Sequence, residues 1–175
     1  MITKSFRAAA FLAAFPSGLW AQHCCVDESF NPDDPGSASG IGCSVTINAM
    51  VVQATGAIII GMGWDTQTYN VEPIGSLQIL SSNGIISSFT PNAPSGPVYA
   101  VSTHPDGRIV FGGDFQDYGG STHDDVGYMF ENGDVNTFPL TGEGSDWDIR
   151  TMARQPSDGK MMISGNFTSY NGIAR

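Results

Sequence analysis

The chain repeats itself at a spacing of 51 residues, and this periodicity restricts its possible folds more than any other feature. The run Ile47-Asn48-Ala49-Met50-Val51-Val52-Gln53 is matched by Val98-Tyr99-Ala100-Val101-Ser102-Thr103-His104 and again by Ile149-Arg150-Thr151-Met152-Ala153-Arg154-Gln155. A turn follows each run: Ala54-Thr55-Gly56, Pro105-Asp106-Gly107 and Pro156-Ser157-Asp158-Gly159. Then comes an apolar stretch ending in small residues, at Ala57 to Gly61, Arg108 to Gly113 and Lys160 to Gly165. Its tail repeats as well, with Gly112-Gly113-Asp114-Phe115 aligned to Ser164-Gly165-Asn166-Phe167 and Tyr118-Gly119-Gly120 to Tyr170-Asn171-Gly172.

Between these doublets lie further strand candidates. Ile74 to Ser81 leads through Ser82-Asn83-Gly84 into Ile85 to Phe89, and Val126 to Phe130 leads through Asn132-Gly133-Asp134 into Val135 to Phe138. Asn-Gly between apolar runs signals a hairpin, and the two-residue form needs positive φ at both central positions, so type I′ turns are expected here. Pro-Asp-Gly serves the other hairpin, because proline presets φ and glycine accepts the left-handed position. No stretch beyond the N-terminal segment keeps an apolar spacing of three and four, so helix content is expected near nil. Each period therefore holds four short antiparallel strands. Such a unit cannot bury both faces alone, and stacking units radially does so: the expected fold is all-β, a β-propeller-type repeat of four-stranded antiparallel blades. Gly61, Gly112, Gly113 and Gly165 end their strands, where a missing side chain lets neighbouring backbones approach, and they are expected to act structurally rather than as a ligand cradle.

Val98 to Phe115 with Tyr118-Gly119-Gly120, and Asp148 to Phe167 with Tyr170 to Arg175, resemble the Delta-60 repeat, a family of exported bacterial propeller-like arrays. Junction pieces Asp27 to Pro32, Ile86 to Pro91 and Val135 to Pro139 extend the resemblance over nearly all of residues 27 to 175. The first copy departs from the pattern, with Trp64-Asp65 in place of the acidic-aromatic pair and a longer loop after it. The resemblance implies a secreted or cell-surface propeller and carries no catalytic residues with it. About two and a half blades are present, an incomplete ring beside the ~4–8 blades of closed propellers. The remaining repeats of a longer parent chain are expected as its partners, since the last blade would otherwise show an unpaired edge.

Lys4 and Arg7 precede an apolar run from Ala8 to Phe15 and the breakers Pro16 and Gly18, the order of a secretory signal peptide with cleavage expected after Ala21. The run is far shorter than the ~20 residues that cross a bilayer, so no transmembrane segment is expected. The boundaries read as signal peptide 1–21, N-terminal junction 22–44, first blade 45–91, second blade 92–140 and truncated third blade 141–175. The whole chain has 17 acidic and 7 basic residues; removal of the leader leaves 5 basic ones and a net charge of −12. This gives no electrostatic footprint for a phosphate backbone, which argues against nucleic acid as a partner. Cys24, Cys25 and Cys43 are disulfide candidates in an oxidising compartment, with Cys43 bridged to either of the other two. The vicinal pair beside His23 alternatively offers thiolate and imidazole ligands to a soft metal.

The densest polar cluster is Asp114, Asp117, His123, Asp124 and Asp125. Its carboxylates, Asp114, Asp117, Asp124 and Asp125, are candidate ligands for Ca²⁺, although the spacing fits no calcium-loop pattern and the competing reading is a solvated acidic loop. In the other copies Asp65 and Asn166 are read at the place of Asp114. Asp27, Glu28, Asp33 and Asp34 are read as plain surface, and His104 as a turn residue because glutamine replaces it in both other copies. Asn166-Phe167-Thr168 is a glycosylation sequon with meaning only in a eukaryotic secretory route. No nucleophile elbow, zinc-binding His pair or phosphate loop is present, so no catalytic residues are assigned. The chain reads as a non-catalytic binding or scaffolding surface for a protein or glycan ligand. The competing class is an extracellular carbohydrate-active or other hydrolytic enzyme framed by these blades. A face lined by Tyr, Trp and Asp favours the first; convergent carboxylates with one raised pKa favour the second.

Overall fold

The computed structural model describes residues 46–64, 67–69, 72–88, 93–122, 124–134 and 144–175. The leader 1–21, the junction 22–44 with Cys24, Cys25 and Cys43, Asp65, His123 and the strand candidate Val135 to Phe138 lie outside them. The first copy contains β1 (Ile47–Val52), β2 (Ile58–Met62), β3 (Gln67–Tyr69), β4 (Glu72–Ile74), β5 (Leu77–Leu80) and β6 (Ile86–Ser88). The second contains β7 (Val98–Thr103), β8 (Ile109–Gly113), β9 (Asp117–Tyr118), β10 (Ser121–Thr122) and β11 (Val126–Met129). The third contains β12 (Ile149–Arg154), β13 (Met161–Gly165), β14 (Ser169–Tyr170) and β15 (Ile173–Ala174). Among the described residues there is no helix, and hence none long and apolar enough to cross a membrane.

The main sheets are antiparallel, ordered β1-β2-β5-β6, β7-β8-β11 and β12-β13. β7 packs between β1 on one side and β12 on the other, so the three sheets stack in chain order through their first strands. This is a partial β-propeller with an incomplete ring. Each first strand carries a register shift at the same place, between Ile47 and Ala49, Val98 and Ala100, and Ile149 and Thr151. The residues at the shift reach toward a neighbouring blade, as bulge residues often do: Asn48 donates to the Val98 carbonyl at 3.1 Å, and the Arg150 guanidinium lies 4.4 Å from the centroid of the Tyr99 ring.

The turns copy one another bond for bond. Gln53, His104 and Gln155 each close the first hairpin through their own N–H and C=O, the N–H donating to Ala57, Arg108 and Lys160 at 2.7–2.8 Å. The third turn accommodates its extra residue without losing either bond.

Two sequence expectations need correction. The hairpins at Asn83-Gly84 and Asn132-Gly133 exist, but only Gly84 (φ 78°) and Gly133 (φ 89°) take positive φ. They fit a turn followed by one left-handed glycine rather than type I′. Positive φ at two consecutive residues occurs instead at Gly119-Gly120 and Asn171-Gly172, the tips of the β9/β10 and β14/β15 hairpins. Those small hairpins are insertions after the second strand of each blade, as β3/β4 is in the first, and they divide the candidate strand Ile74 to Ser81: Ile74 ends β4 and Leu77 begins β5.

The inter-blade core explains the repeated glycine. Ile59, Leu77 and Ile79 of the first blade meet Val98, Ile109, Phe111, Phe115, Tyr118 and Met129 of the second. A Cβ on Gly61 would stand 2.7 Å from Val98 Cγ1, and one on Gly112 would stand 2.7 Å from Ile149 Cγ2. The two positions are 51 residues apart and do the same job, admitting the first strand of the next blade. Gly112→Ala is expected to destabilise the chain by about 1–3 kcal/mol through overpacking against Ile149 and Met152, read as a lowered midpoint in thermal unfolding.

Candidate functional site

The seam between the second and third blades opens into a cavity of about 180 Å³. Its walls bring together Asp114, Asp124 and Asp125 from the second blade with Asp146, Trp147 and Asp148 from the start of the third. Backbone bonds fix this arrangement. Asp125 sits at φ 64°, a left-handed conformation that Asp tolerates better than most residues. Its N–H donates to the Phe115 carbonyl at 2.9 Å, its carbonyl accepts from Gly113 at 3.0 Å, and its carboxylate accepts the Phe115 N–H at 2.9 Å. Across the seam, Ser145 donates its N–H to the Asp124 carbonyl at 3.2 Å, while Gly144 exchanges bonds with Asn171 at the β14/β15 tip.

The electrostatics follow from this crowding. Burial pushes the Asp125 carboxyl up to about 6, with the charges of Asp114, Asp124 and Asp148 adding to the rise against the pull of the Phe115 N–H. Asp146 goes the other way, to about 2, because the Thr168 hydroxyl and the Ser169 and Thr168 amides donate to it. Asp148 is buried with Arg150 as its ion-pair partner; among the described residues the Ser145 hydroxyl is buried with no hydrogen-bond partner. Trp147 stands at the rim, 66% exposed.

The corresponding seam between the first and second blades is the internal control. Met62 donates to the Ser76 carbonyl as Gly113 does to that of Asp125, which places Ser76 at the position of Asp125 and Gly75 at that of Asp124. Ser95 Oγ receives the N–H groups of Gln116 and Asp117 as Asp146 receives those of Thr168 and Ser169. Pro97 accepts from Asp114 as Asp148 accepts from Asn166. The strand register puts Gly63 at the place of Asp114. Five carboxylates in one seam thus replace Gly63, Gly75, Ser76, Ser95 and Pro97 in the other, on the same scaffold. The same backbone arrangement forms in the first seam without a carboxylate at any of these five places.

Of the candidate calcium ligands, Asp114, Asp124 and Asp125 line this cavity and Asp117 lies on β9, outside it. The sequence alignment of Asp65 with Asp114 is corrected by the register, which gives that place to Gly63. Among the described residues no three His, Cys, Asp or Glu side chains converge as a ligand set for one metal ion; the carboxylates ring a cavity instead. Sequence reasoning missed Asp146, Trp147 and Asp148. The 51-residue offset would have found them, since it pairs them with Ser95, Gly96 and Pro97.

A family model described as a domain of unknown function, DUF5122, beta-propeller, matches residues 104–126 and 157–175. Both stretches fall in the second and third copies and cover the turn, second strand and inserted hairpin, so the chain carries β-propeller-like repeats. No curated protein and no solved structure matches the chain.

Proposed function

We propose that this chain is a secreted or cell-surface β-propeller repeat protein of the Delta-60 type, serving as a non-catalytic binding surface. The ligand we assign is a protein or glycan that presents a positive group, a basic side chain or an amino sugar, to the acidic seam. The observation that carries the reading is the contrast between two seams of one scaffold: five carboxylates where the other seam has none, gathered around a cavity with an exposed tryptophan at its rim. Carboxylates are pure acceptors and attract a cation, and an indole face adds cation–π attraction or stacks on a sugar ring. The leader-like order of Lys4, Arg7 and the apolar run supports export.

Titration calorimetry with a lysine-containing peptide, a glucosamine oligomer and calcium chloride tests this. Saturable binding of one of the first two is expected, weakened about tenfold by Trp147→Ala, a loss of roughly 1.4 kcal/mol. Binding is expected to be weaker at pH 5 than at pH 7.5, because Asp125 takes up a proton as pH falls through about 6. Absence of binding to both the peptide and the glucosamine oligomer, whether or not calcium binds, or binding untouched by Trp147→Ala, defeats the proposal.

The raised Asp125 carboxyl among other carboxylates favours a second reading, a hydrolytic enzyme with Asp125 as proton donor. Against it stands the hydrogen bond that ties this carboxylate to the Phe115 N–H. Release of chromophore from aryl glycosides, abolished by Asp125→Asn, would establish that reading in place of the first.

A further inference from the structure

The acidic seam receives little positive charge from its own chain. Among the described residues its five carboxylates share one guanidinium, that of Arg150, which pairs with Asp148. Lys160 is held by Asp158 at 2.8 Å and Arg108 by Asp106, both on hairpin turns away from the cavity. Beyond residue 21, the stretches outside the described residues contain no lysine or arginine, so none of them brings an ammonium or guanidinium to the seam. A second, independent observation concerns a polar atom. Ser145 lines the cavity, is 3% exposed, and its Oγ has no hydrogen-bond partner. A buried hydroxyl without a partner costs free energy, and a ligand that supplies a donor recovers it. Asp125, 7% exposed, gives one carboxylate oxygen to the Phe115 N–H and keeps the other for such a ligand.

Resting on the binding role argued above, we propose that the seam takes the side-chain ammonium of a lysine on a protein ligand, in preference to an amino sugar, an arginine or a divalent cation. An ammonium is a compact charge with three separate donors, so it needs single acceptors around a point, such as Ser145 Oγ and the second oxygen of Asp125. A guanidinium is best met by a carboxylate that offers both oxygens side by side. The two most buried carboxylates do not: Asp125 has one oxygen engaged by Phe115, and Asp148 already has Arg150. Ca²⁺ takes six to eight oxygen ligands, whereas among the described residues no three acidic, His or Cys side chains converge on one point. An amino sugar carries its ammonium on a rigid ring, which must follow it inward to acceptors this deeply buried. Lysine carries it on a slender four-carbon stem, whose methylenes pass the rim along the Trp147 indole.

Calorimetry at pH 7.5 on the whole chain compares an acetylated, amidated pentapeptide, a lysine flanked by glycines, with the same peptide carrying arginine, trimethyl-lysine or diaminopropionate, with the glucosamine oligomer and with calcium chloride. The lysine peptide is expected to bind at least about tenfold more tightly than each of the others. Trimethyl-lysine keeps the charge and loses every donor, and diaminopropionate keeps the donors and loses the reach, so the pair separates hydrogen bonding from depth. Ser145→Ala is expected to cost the lysine peptide about tenfold and leave the trimethyl-lysine peptide unmoved. Its unfolding midpoint should be unchanged or raised, because the hydroxyl has no partner to lose in the free protein. Asp125→Asn, whose amide oxygen still accepts the Phe115 N–H, should weaken the lysine peptide by at least about tenfold. If any other probe binds as tightly as the lysine peptide, or if either substitution leaves lysine binding unmoved, the lysine assignment falls while the binding role stands. Binding by none of the peptides and not by the oligomer overturns both.

Discussion

Asp125→Asn is expected to stabilise the protein at neutral pH, by about 1–3 kcal/mol for a carboxyl raised from 3.8 to about 6. The sign follows from proton linkage. The folded chain holds its Asp125 proton up to about pH 6, whereas the unfolded chain releases it near pH 4. Folding therefore loses ground as pH rises between those values, and the loss is complete above pH 6. An amide removes the charge while its carbonyl oxygen still accepts the Phe115 N–H, and Asn accepts the left-handed backbone at φ 64°. Below about pH 4 the two proteins should be equally stable. The comparison must be a difference between them, because Asp106 and Asp146 are held below the usual carboxylate range and their stabilisation fades in acid. Chemical unfolding from pH 4 to pH 8 reads it directly. A variant less stable than the parent at pH 7.5 would show that the carboxylate charge is used by the fold, contrary to the comparison of the two seams.

Phe111→Ala is expected to cause the largest loss of stability, about 3–5 kcal/mol, out of the roughly 5–15 that a domain of ordinary stability possesses. Phe111 is fully buried on β8, its ring centroid 4.7 Å from that of Tyr118 in edge-to-face contact and 5.7 Å from that of Phe115. A Cβ on Gly127 would clash with its Cζ and Cε2 atoms. The side chain thus fills the space that the strand opposite leaves open, and its truncation empties both sides of a junction between blades. At roughly 2–4 °C per kcal/mol for a chain of this size, the midpoint should fall by about 6–20 °C in a calorimetric scan. A fall of only a few degrees would mean that the two blades collapse onto the gap.

These expectations also show where the amino-acid sequence was readable. Strands and hairpins were legible because period-two alternation, Gly and Pro act over a few residues, and three copies averaged out the accidents of any one. Gln53, His104 and Gln155 could be equated from spacing alone, and they make the same two backbone bonds. Turn type was harder, since Asn83-Gly84 and Asn171-Gly172 look alike as dipeptides. What separates them is strand register, which places one left-handed residue in the first and two in the second. The acidic seam was half visible. Asp114, Asp124 and Asp125 lie close in sequence and drew notice, but so did Asp117, which β9 carries elsewhere. Asp146 and Asp148 lie some twenty residues further on and join the others only when the third blade docks. Asp125 gave no sign of its raised carboxyl, because that depends on burial and on neighbours supplied by another segment.

The one-residue difference between the turns Pro105-Asp106-Gly107 and Pro156-Ser157-Asp158-Gly159 has a practical side. The longer turn keeps both closing bonds of the shorter, so length added there is absorbed locally and never transmitted to strand pairing. That rim is the place to graft a peptide tag or a fluorophore anchor, leaving the charged crevice and the stacking faces undisturbed.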